Sequence, residues 1–330
     1  MDDYIKRVIS KKQGKKIYHK YYDKNDKQIK DKKYIKKCSE GVYISPAYDN
    51  VKINLNKNDK ILAIGYDVKG RSQYVYNKSF VKSQQDKKFN HMVDFGKNFK
   101  KINRKINEDL YSVKDSKEKQ IAIIMRLIME CHFRVGNDRY SKQNNSYGTT
   151  TLEVKHMKFK KSEVVIDFIG KKKVRNVCTV KNKKLVKSLK EKKRTRNKND
   201  RLFSYRKGNK YFDIKSNDVN KYLKQFGKFT TKNFRTWGAN IEFICKLLHY
   251  CKTIDCSVKK NNQKVLKDSI KFVAEKLHNT EAVCKSNYLD PELISLFSID
   301  INKFKELFYK NNKINRDDIY KYYVDFLENI

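Results

Sequence analysis

The sequence predicts an α+β protein, with a small β-rich amino-terminal domain over residues 1–83 and a larger, mostly α-helical domain over residues 84–330. Strand-forming residues and turn signals dominate the first domain, whereas apolar residues at helical spacing dominate the second. Apolar residues make up 38% of the 330, so a substantial core is expected despite the 35% of charged residues.

Two segments carry the strand prediction for the amino-terminal domain. Residues 16–22 are rich in β-forming side chains and precede a polar turn. Residues 61–76 form the clearest element, because two apolar runs flank the glycine-containing turn 67–70. We therefore expect a β-hairpin over residues 61–76.

Helical periodicity begins at about residue 90. Residues 114–116 can cap a helix that ends at Gly136 and turns Ile121, Ile124 and Leu127 inward. Two β-rich runs, 163–169 and 174–180, predict a second hairpin. The segment 181–201 is dense in lysine and arginine, and it predicts a solvated loop or helix edge or, alternatively, a segment near DNA. Further helices are predicted over residues 216–226, 233–250, 263–278 and 317–328.

The charge balance points to a polyanionic partner. Lysine and arginine total 78 against 37 acidic residues, which gives a net charge of +41. Part of this excess can reflect AT-rich codons, but nucleic acid is the partner that the charge favours most. The densest apolar run, residues 121–125, is far too short to span a bilayer, so no membrane association is expected.

Cysteine usage predicts an intracellular protein that is not secreted. The seven cysteines are odd in number and include no CxxC pair, which argues against a disulfide framework or a zinc cluster. Cys251 and Cys256 with His249 form the one local cluster, and it lacks a fourth ligand nearby. We expect reduced thiols and no bound metal.

Phosphodiester chemistry needs either clustered carboxylates for Mg²⁺ or cationic side chains with a protein nucleophile. The acidic residues here are scattered. Arg134 at a helix end, Lys171 at a hairpin tip and Arg235 beside the one tryptophan each have an ordinary structural explanation, as do His278 and Tyr288. Their order along the chain is the informative feature.

That order resembles the catalytic series of type IB DNA topoisomerases, and most of all the short poxvirus-type enzymes found in large DNA viruses. The resemblance runs from about residue 61 to about residue 296. The segments that carry it are DVKGRSQYVY at 67–76, FRVG at 133–136 with Tyr140, VIDFIGK at 165–171, KNFRTWGAN at 232–240 and KSNYLDP at 285–291.

The resemblance implies the tyrosine recombinase/type IB topoisomerase fold and a role for each catalytic residue. Tyr288 would attack a DNA phosphate and form a 3′-phosphotyrosyl bond. Arg134 and Arg235 would grip the non-bridging oxygens, and His278 would donate a further hydrogen bond. Lys171 would protonate the leaving 5′-oxygen. Neither a metal ion nor ATP is required, so no cofactor is expected.

The same resemblance implies a monomer that clamps double-stranded DNA between its two domains. If the source is a virus, the protein is expected in the virion and the host cytoplasm. The residues expected to contact DNA are Arg71, Gln73, Tyr74 and Tyr76 in the amino-terminal domain and Tyr140 and Lys142 in the helical domain.

One departure from the family concerns the histidine. The poxvirus enzymes have one residue fewer between their histidine and tyrosine, and they follow the histidine with Thr-Pro, where this chain has Asn279 and Thr280. Two alternatives stay open: a tyrosine recombinase, which shares the fold, and a non-catalytic DNA-binding homologue. The intact series of catalytic positions favours a topoisomerase.

Overall fold

The structure, a computed structural model, describes residues 1–310 and 314–329. The chain divides into two compact units, Met1–Lys88 and Phe89–Ile330. Strands predominate in the first unit and helices in the second, which confirms the predicted α+β class. The predicted domain boundary after residue 83 lies inside the long helix α2 (Lys78–Tyr111), which begins in the first unit and continues in the second.

The first unit is built on one antiparallel sheet in the order β3-β2-β1-β4-β5-β6, with a short helix α1 (Lys32–Ser39). Ile5, Val51 and Ile53 are almost fully buried in its core. The predicted hairpin over residues 61–76 is confirmed. The strands are β1 (Tyr4–Gln13), β2 (Lys16–Tyr22), β3 (Gln28–Ile29), β4 (Asp49–Asn54), β5 (Ile61–Tyr66) and β6 (Ser72–Tyr76).

The second unit is mostly helical. Its β-structure comprises a three-stranded sheet, β7 (Met157–Lys160), β8 (Glu163–Ile169) and β9 (Arg175–Val180), and a small hairpin, β10 (Ser204–Lys207) and β11 (Lys210–Asp213). The predicted hairpin around residues 170–173 is confirmed as β8–β9. The remaining helices are α3 (Lys117–Cys131), α4 (Asp138–Asn144), α5 (Lys183–Thr195), α6 (Ser216–Leu223), α7 (Thr231–Cys251), α8 (Lys259–Lys276), α9 (Glu281–Asn287), α10 (Pro291–Ile299), α11 (Ile301–Phe308) and α12 (Arg316–Glu328).

Two helix predictions need correction. Helix α2 begins at Lys78 rather than near residue 90. Helix α3 is capped by Ser116, which lies within the predicted capping segment 114–116, but it ends at Cys131 rather than at Gly136, because His132 adopts the left-handed conformation with φ 52°. Much of the basic segment 181–201 is the helix α5, in agreement with the predicted solvated helix edge, because its three apolar residues are buried while its lysines mostly face solvent.

The expectation that all thiols are reduced is wrong in one place. Cys131, at the end of α3, and Cys178, on β9, form a disulfide, because α3 packs on β9 and brings the two Cα atoms to 5.7 Å. Five cysteines are free. Within residues 1–310 and 314–329, no helix has the length and apolar character needed to cross a membrane.

An aromatic cluster fixes helix α7 in the second unit. The fully buried Trp237 of α7 contacts Phe95 and Phe99 of α2 and Tyr320 and Tyr323 of α12, with ring centroids 5.1–6.2 Å apart. A glycine in α2 makes this approach possible. A methyl group at Gly96 would lie 2.5 Å from Val324 Cγ2 and 2.7 Å from Trp237 Cη2, far inside van der Waals contact.

We therefore predict that Gly96→Ala lowers the free energy of unfolding by about 1–3 kcal/mol, because the added methyl overpacks the core. Urea unfolding followed by the fluorescence of the single tryptophan would measure it. Lys100→Ala, on an exposed position of the same helix, is the matched control and should change stability by less than about 0.5 kcal/mol. Unchanged stability in Gly96→Ala would contradict the packing described for this cluster.

Candidate active site

A buried arginine lies beneath the predicted nucleophile. Arg235, in the first turns of α7, is only 4% exposed. Its Nη2 donates to the Leu277 carbonyl at 3.1 Å and to the Tyr288 hydroxyl at 3.4 Å. Its Nε and Nη1 are buried and have no hydrogen-bond partner among the described residues. Two donors of a buried cation are therefore available to an anionic group beside the phenol.

The surroundings of Tyr288 favour its ionised form. Burial alone would raise the pKa of this phenol, but the positive charge of Arg235 and its hydrogen bond act in the opposite direction. The charge of Arg134 and the polar side chain of Asn279 add to that effect. The pKa of Tyr288 is consequently lower than the usual value for tyrosine, which suits a phenol that must lose its proton as it attacks.

Asn240 fixes the backbone that carries the tyrosine. Its Nδ2 donates to the Tyr288 carbonyl at 3.0 Å, and its Oδ1 accepts from the Asp290 amide at 2.8 Å. Asp290 in turn caps α10 through the Glu292 amide at 3.0 Å. Asn240 lies within the second arginine segment, but no functional role was predicted for it. Its one signal was a polar residue in the middle of an otherwise apolar helix.

The loop that carries Arg134 is held by its backbone. The Thr149 amide donates to the Arg134 carbonyl at 2.8 Å. Gly136 has φ +98°, a conformation that L side chains rarely adopt, and a methyl group on the facing Gly148 would lie 2.5 Å from the Cα of Gly136. Two glycines thus let the chain fold closely behind this arginine.

The side chain of Arg134 is hydrogen-bonded to the side-chain amide of Asn279. Its Nη2 donates to Asn279 Oδ1 at 2.7 Å. The Nδ2 of the same amide is buried and has no hydrogen-bond partner among the described residues. The structure therefore brings Arg134, Arg235, Tyr288 and Asn279 together, and Asn279 is a member that the sequence analysis named without giving it a site role.

His278 is close to this group but oriented differently from the prediction. Its backbone is left-handed, with φ 53°, and its ring stacks on Phe133 with centroids 5.7 Å apart. A ring nitrogen donates to the Cys131 carbonyl. Burial, with the nearby charges of Arg235, His132 and Arg134, lowers the pKa of His278 to about 4. No hydrogen bond joins His278 to Tyr288 in the part of the chain that the structure describes.

Lys171 is the one predicted catalytic residue that lies on a hairpin. It is exposed at the tip of the β8–β9 hairpin, directly after Gly170. That glycine is closely packed, because a methyl group there would lie 2.5 Å from Asn176 Nδ2. Among the residues described, no hydrogen bond links Lys171 to Arg134, Arg235 or Tyr288.

A network of charged side chains stabilises the end of α8, next to the candidate site. Glu242 on α7 is bonded to Lys276 Nζ at 2.7 Å and also to Arg316 of α12. The His132 Nε2 lies 3.8 Å from the same carboxylate. Burial would raise the pKa of Glu242, but these cationic partners hold it well below its usual range. Lys276 directly precedes Leu277, so the network fixes the end of α8 whose carbonyl binds Arg235.

The predicted DNA-contacting residues of the first unit lie on the β5–β6 hairpin. Tyr74 and Tyr76 are exposed and stack with centroids 6.0 Å apart. Strand alternation places Gln73 on the opposite face from these tyrosines. Both Gln73 Nε2, at 3.1 Å, and Arg71 Nε, at 2.8 Å, bond to the carboxylate of Asp67. These two hydrogen bonds to Asp67 stabilise the turn of the hairpin.

Tyr140 and Lys142 of the second unit lie on α4, directly after the loop of Arg134. Tyr140 is 60% exposed, and Lys142 is also exposed. Asn137 caps this helix by accepting from the Arg139 amide at 2.9 Å. Both side chains are accessible to a large ligand.

The lowered pKa of Tyr288 gives a direct prediction. Arg134→Ala removes a cation that stabilises the phenolate, so the pKa of Tyr288 should rise. The measurement is a ¹³Cζ-tyrosine NMR titration, with Tyr288→Phe assigning the signal. Arg139→Ala removes the same charge from the exposed face of α4 and should leave this pKa unchanged. An equal shift in both variants would show that net charge, rather than Arg134, sets the pKa.

Comparison with known proteins identifies the family. A sequence model described as the catalytic core of eukaryotic DNA topoisomerase I matches residues 77–315. A DNA topoisomerase 1B of Acanthamoeba polyphaga mimivirus is 31% identical over 92% of this chain and 91% of its own length. A DNA topoisomerase 1B of Vaccinia virus (strain Copenhagen) is 29% identical over 72% of each chain. The chain therefore belongs to the type IB DNA topoisomerases of the compact viral kind, enzymes that relax supercoiled DNA by cutting and resealing one strand.

Proposed function

We propose that Tyr288 is the nucleophile of this reaction and that Arg134 and Arg235 bind the phosphate it attacks. The observation that carries the proposal is the pair of unpartnered Arg235 nitrogens beside the Tyr288 hydroxyl. A guanidinium that is buried without a carboxylate partner is unusual, because burial of a lone charge is unfavourable. A DNA phosphate is the partner that this reaction supplies.

In the cleavage step, the Tyr288 oxygen forms a bond to phosphorus while the bond to the 5′-oxygen breaks. Negative charge grows on the non-bridging oxygens, which the unpartnered nitrogens of Arg235 are free to bind. Arg134 adds a second cation near the phenol. The product is a 3′-phosphotyrosyl bond that stores the energy of the diester, so religation needs no ATP.

Lys171 is the proposed general acid. The leaving 5′-oxygen is an alkoxide, so it needs a proton. Lys171 is exposed on a hairpin tip, a position from which a side chain can reach a bound strand. The hairpin is held to the segment that follows α4, because the Tyr147 amide donates to the Ile169 carbonyl at 2.8 Å, and the same segment binds the loop of Arg134 through the Thr149 amide.

Binding of duplex DNA is proposed to use both units of a monomer. From the first unit, Arg71, Gln73, Tyr74 and Tyr76 would contact it, and from the second Tyr140 and Lys142. The net charge of +41 supports this proposal, because phosphate contacts release condensed counterions. The viral relatives support a viral origin for this chain. The location of the protein in the virion and the host cytoplasm stays a prediction.

The first test is relaxation of supercoiled plasmid in EDTA without ATP. Wild type should relax both positive and negative supercoils. Tyr288→Phe should bind DNA with wild-type affinity but form no covalent adduct. Adduct formation by this variant would move the nucleophile to another of the 22 tyrosines, and a strict Mg²⁺ requirement would contradict the metal-free mechanism.

The general-acid role of Lys171 has a separate test. Lys171→Ala should slow single-turnover cleavage of a normal strand by about 10²–10⁴-fold. A strand with sulfur in place of the bridging 5′-oxygen should restore the rate, because a thiolate, with a pKa near ~8.5 for its acid, leaves without a proton. Lys172→Ala is the matched control on the same tip. Equal losses on both strands would show that Lys171 binds DNA rather than donating a proton.

A further inference from the structure

We propose that the disulfide between Cys131 and Cys178 positions the hairpin of Lys171, so that reduction of this one bond slows DNA cleavage. The two cysteines are positioning residues, since they act on the reaction only through the lysine. The inference rests on the proposed general-acid role of Lys171. It makes the cleavage rate depend on the balance of thiols and disulfides around the enzyme.

The disulfide joins the two elements that carry Arg134 and Lys171. Cys131 is the last residue of α3 and closely precedes Arg134 in the chain. Cys178 lies on β9 and is paired with Ile166 on β8, and the tip between these two strands carries Lys171. One covalent bond therefore ties the hairpin of the general acid to the helix end from which the Arg134 loop departs.

The bond lies near the base of the hairpin, at a distance from the lysine. Further residue pairs of the β8–β9 ladder separate Cys178 from the tip. The chain from Ile166 to Lys171 spans at most roughly 17 Å when fully extended. A rotation of about 5° at the base moves the tip by on the order of 1 Å over such a length. A misplacement of about 1 Å can lower a rate by up to about 10²-fold.

Apolar packing keeps the hairpin folded when the bond is absent. The Phe168 ring meets Phe133 edge to face, with centroids 4.8 Å apart, and Ile166 is fully buried. The Tyr147 amide also donates to the Ile169 carbonyl at 2.8 Å. Reduction should therefore loosen the position of the tip without unfolding the sheet. We expect a lower cleavage rate rather than an inactive protein.

One half of the disulfide is open to a reductant. Cys131 is 4% exposed, whereas Cys178 is partly exposed. A thiolate of a dithiol reductant attacks the Cys178 sulfur and releases the Cys131 thiolate, and the second thiol of the reductant then displaces Cys178. Two electrons and two protons pass to the protein, and the reductant leaves as a disulfide. Oxidised glutathione reverses the step and is itself reduced to two thiols.

A second pair of cysteines provides a matched control. Cys251 and Cys256 are free, and their sulfur atoms lie 2.6 Å apart. Cys251 is the last residue of α7, whereas Arg235 lies in the first turns of the same helix. Oxidation of this second pair is therefore expected to leave the hairpin of Lys171 in place.

Single-turnover cleavage by oxidised and reduced wild type tests the inference. Oxidised glutathione and dithiothreitol set the two states, and peptide mapping without reductant checks the bond between residues 131 and 178. On a normal strand, the reduced form should cleave about 3- to 30-fold more slowly. On a strand with sulfur in place of the bridging 5′-oxygen, both forms should cleave at the same rate, because that leaving group needs no proton from Lys171.

Three results of this experiment would overturn the inference. Free thiols at positions 131 and 178 in oxidised glutathione would remove its basis. Equal rates of the two forms on the normal strand would show that the bond does not position the lysine. Equal losses on both strands would show that the bond supports DNA binding or the fold instead. Reduction should also lower the melting temperature by roughly 10 °C, so all rates are compared well below the transition of the reduced form.

Substitution of single cysteines assigns the effect. Cys178→Ser should cleave at the reduced rate in both reagents, because it can no longer form the bond to Cys131. Cys251→Ser should keep the full response to the two reagents. A response that persists in Cys178→Ser and disappears in Cys251→Ser would move the switch to the other pair and contradict the inference.

Lys171→Ala separates this inference from the proposed function. Reduction should cause no additional loss in this variant, because the two changes remove the same contribution to the rate. A full further loss on reduction would contradict the positioning role alone. A wild-type rate in oxidised Lys171→Ala would instead contradict the general-acid role on which the inference rests.

Discussion

A positive charge buried without a carboxylate partner is the constraint on which this active site depends. Arg235 is 4% exposed, and two of its nitrogens have no hydrogen-bond partner among the described residues. Such a group destabilises the free protein unless an anion joins it. The surrounding structure holds the guanidinium in place nevertheless, so the site is organised before DNA arrives and needs little rearrangement in the transition state.

The helix ends around Arg235 provide that organisation. The termination of α8 supplies the Leu277 carbonyl, and the left-handed His278 directs Asn279 toward Arg134. Glu242 holds the same helix end through Lys276. Asn240 fixes the backbone at Tyr288 from the opposite side. Arg134, Arg235 and the backbone of Tyr288 are therefore each held by a backbone or side-chain hydrogen bond, which keeps the phenol and the two cations close together.

The sequence predicted much of this, because several signals are local. Helix α3 has its N-cap at Ser116, and the hairpins around residues 67–70 and 170–173 have turn residues between β-rich runs. The order of Arg134, Lys171, Arg235 and Tyr288 pointed to the chemistry because the spacing of motifs survives sequence divergence. The relatives then confirmed the family.

The predictions that were wrong or missing concern features that depend on tertiary packing rather than on neighbouring residues. A left-handed residue at the end of α8 decides which of two adjacent side chains meets Arg134, and even histidine, which is enriched at positive φ, adopts this conformation too rarely for the sequence to predict it. The disulfide between Cys131 and Cys178 depends on the packing of α3 against β9, which cysteine spacing does not reveal. Asn240 looked like a polar interruption of a helix, and only the tertiary fold shows its bonds to the Tyr288 segment.

The most direct test of the buried cation is a crystal structure of Tyr288→Phe with an uncleaved duplex. The account predicts that non-bridging oxygens of one phosphate lie within ~3 Å of Arg235 Nη1 or Nε, beside the substituted ring at position 288. A duplex whose phosphates meet only surface lysines, with the Arg235 nitrogens still unpartnered, would contradict it.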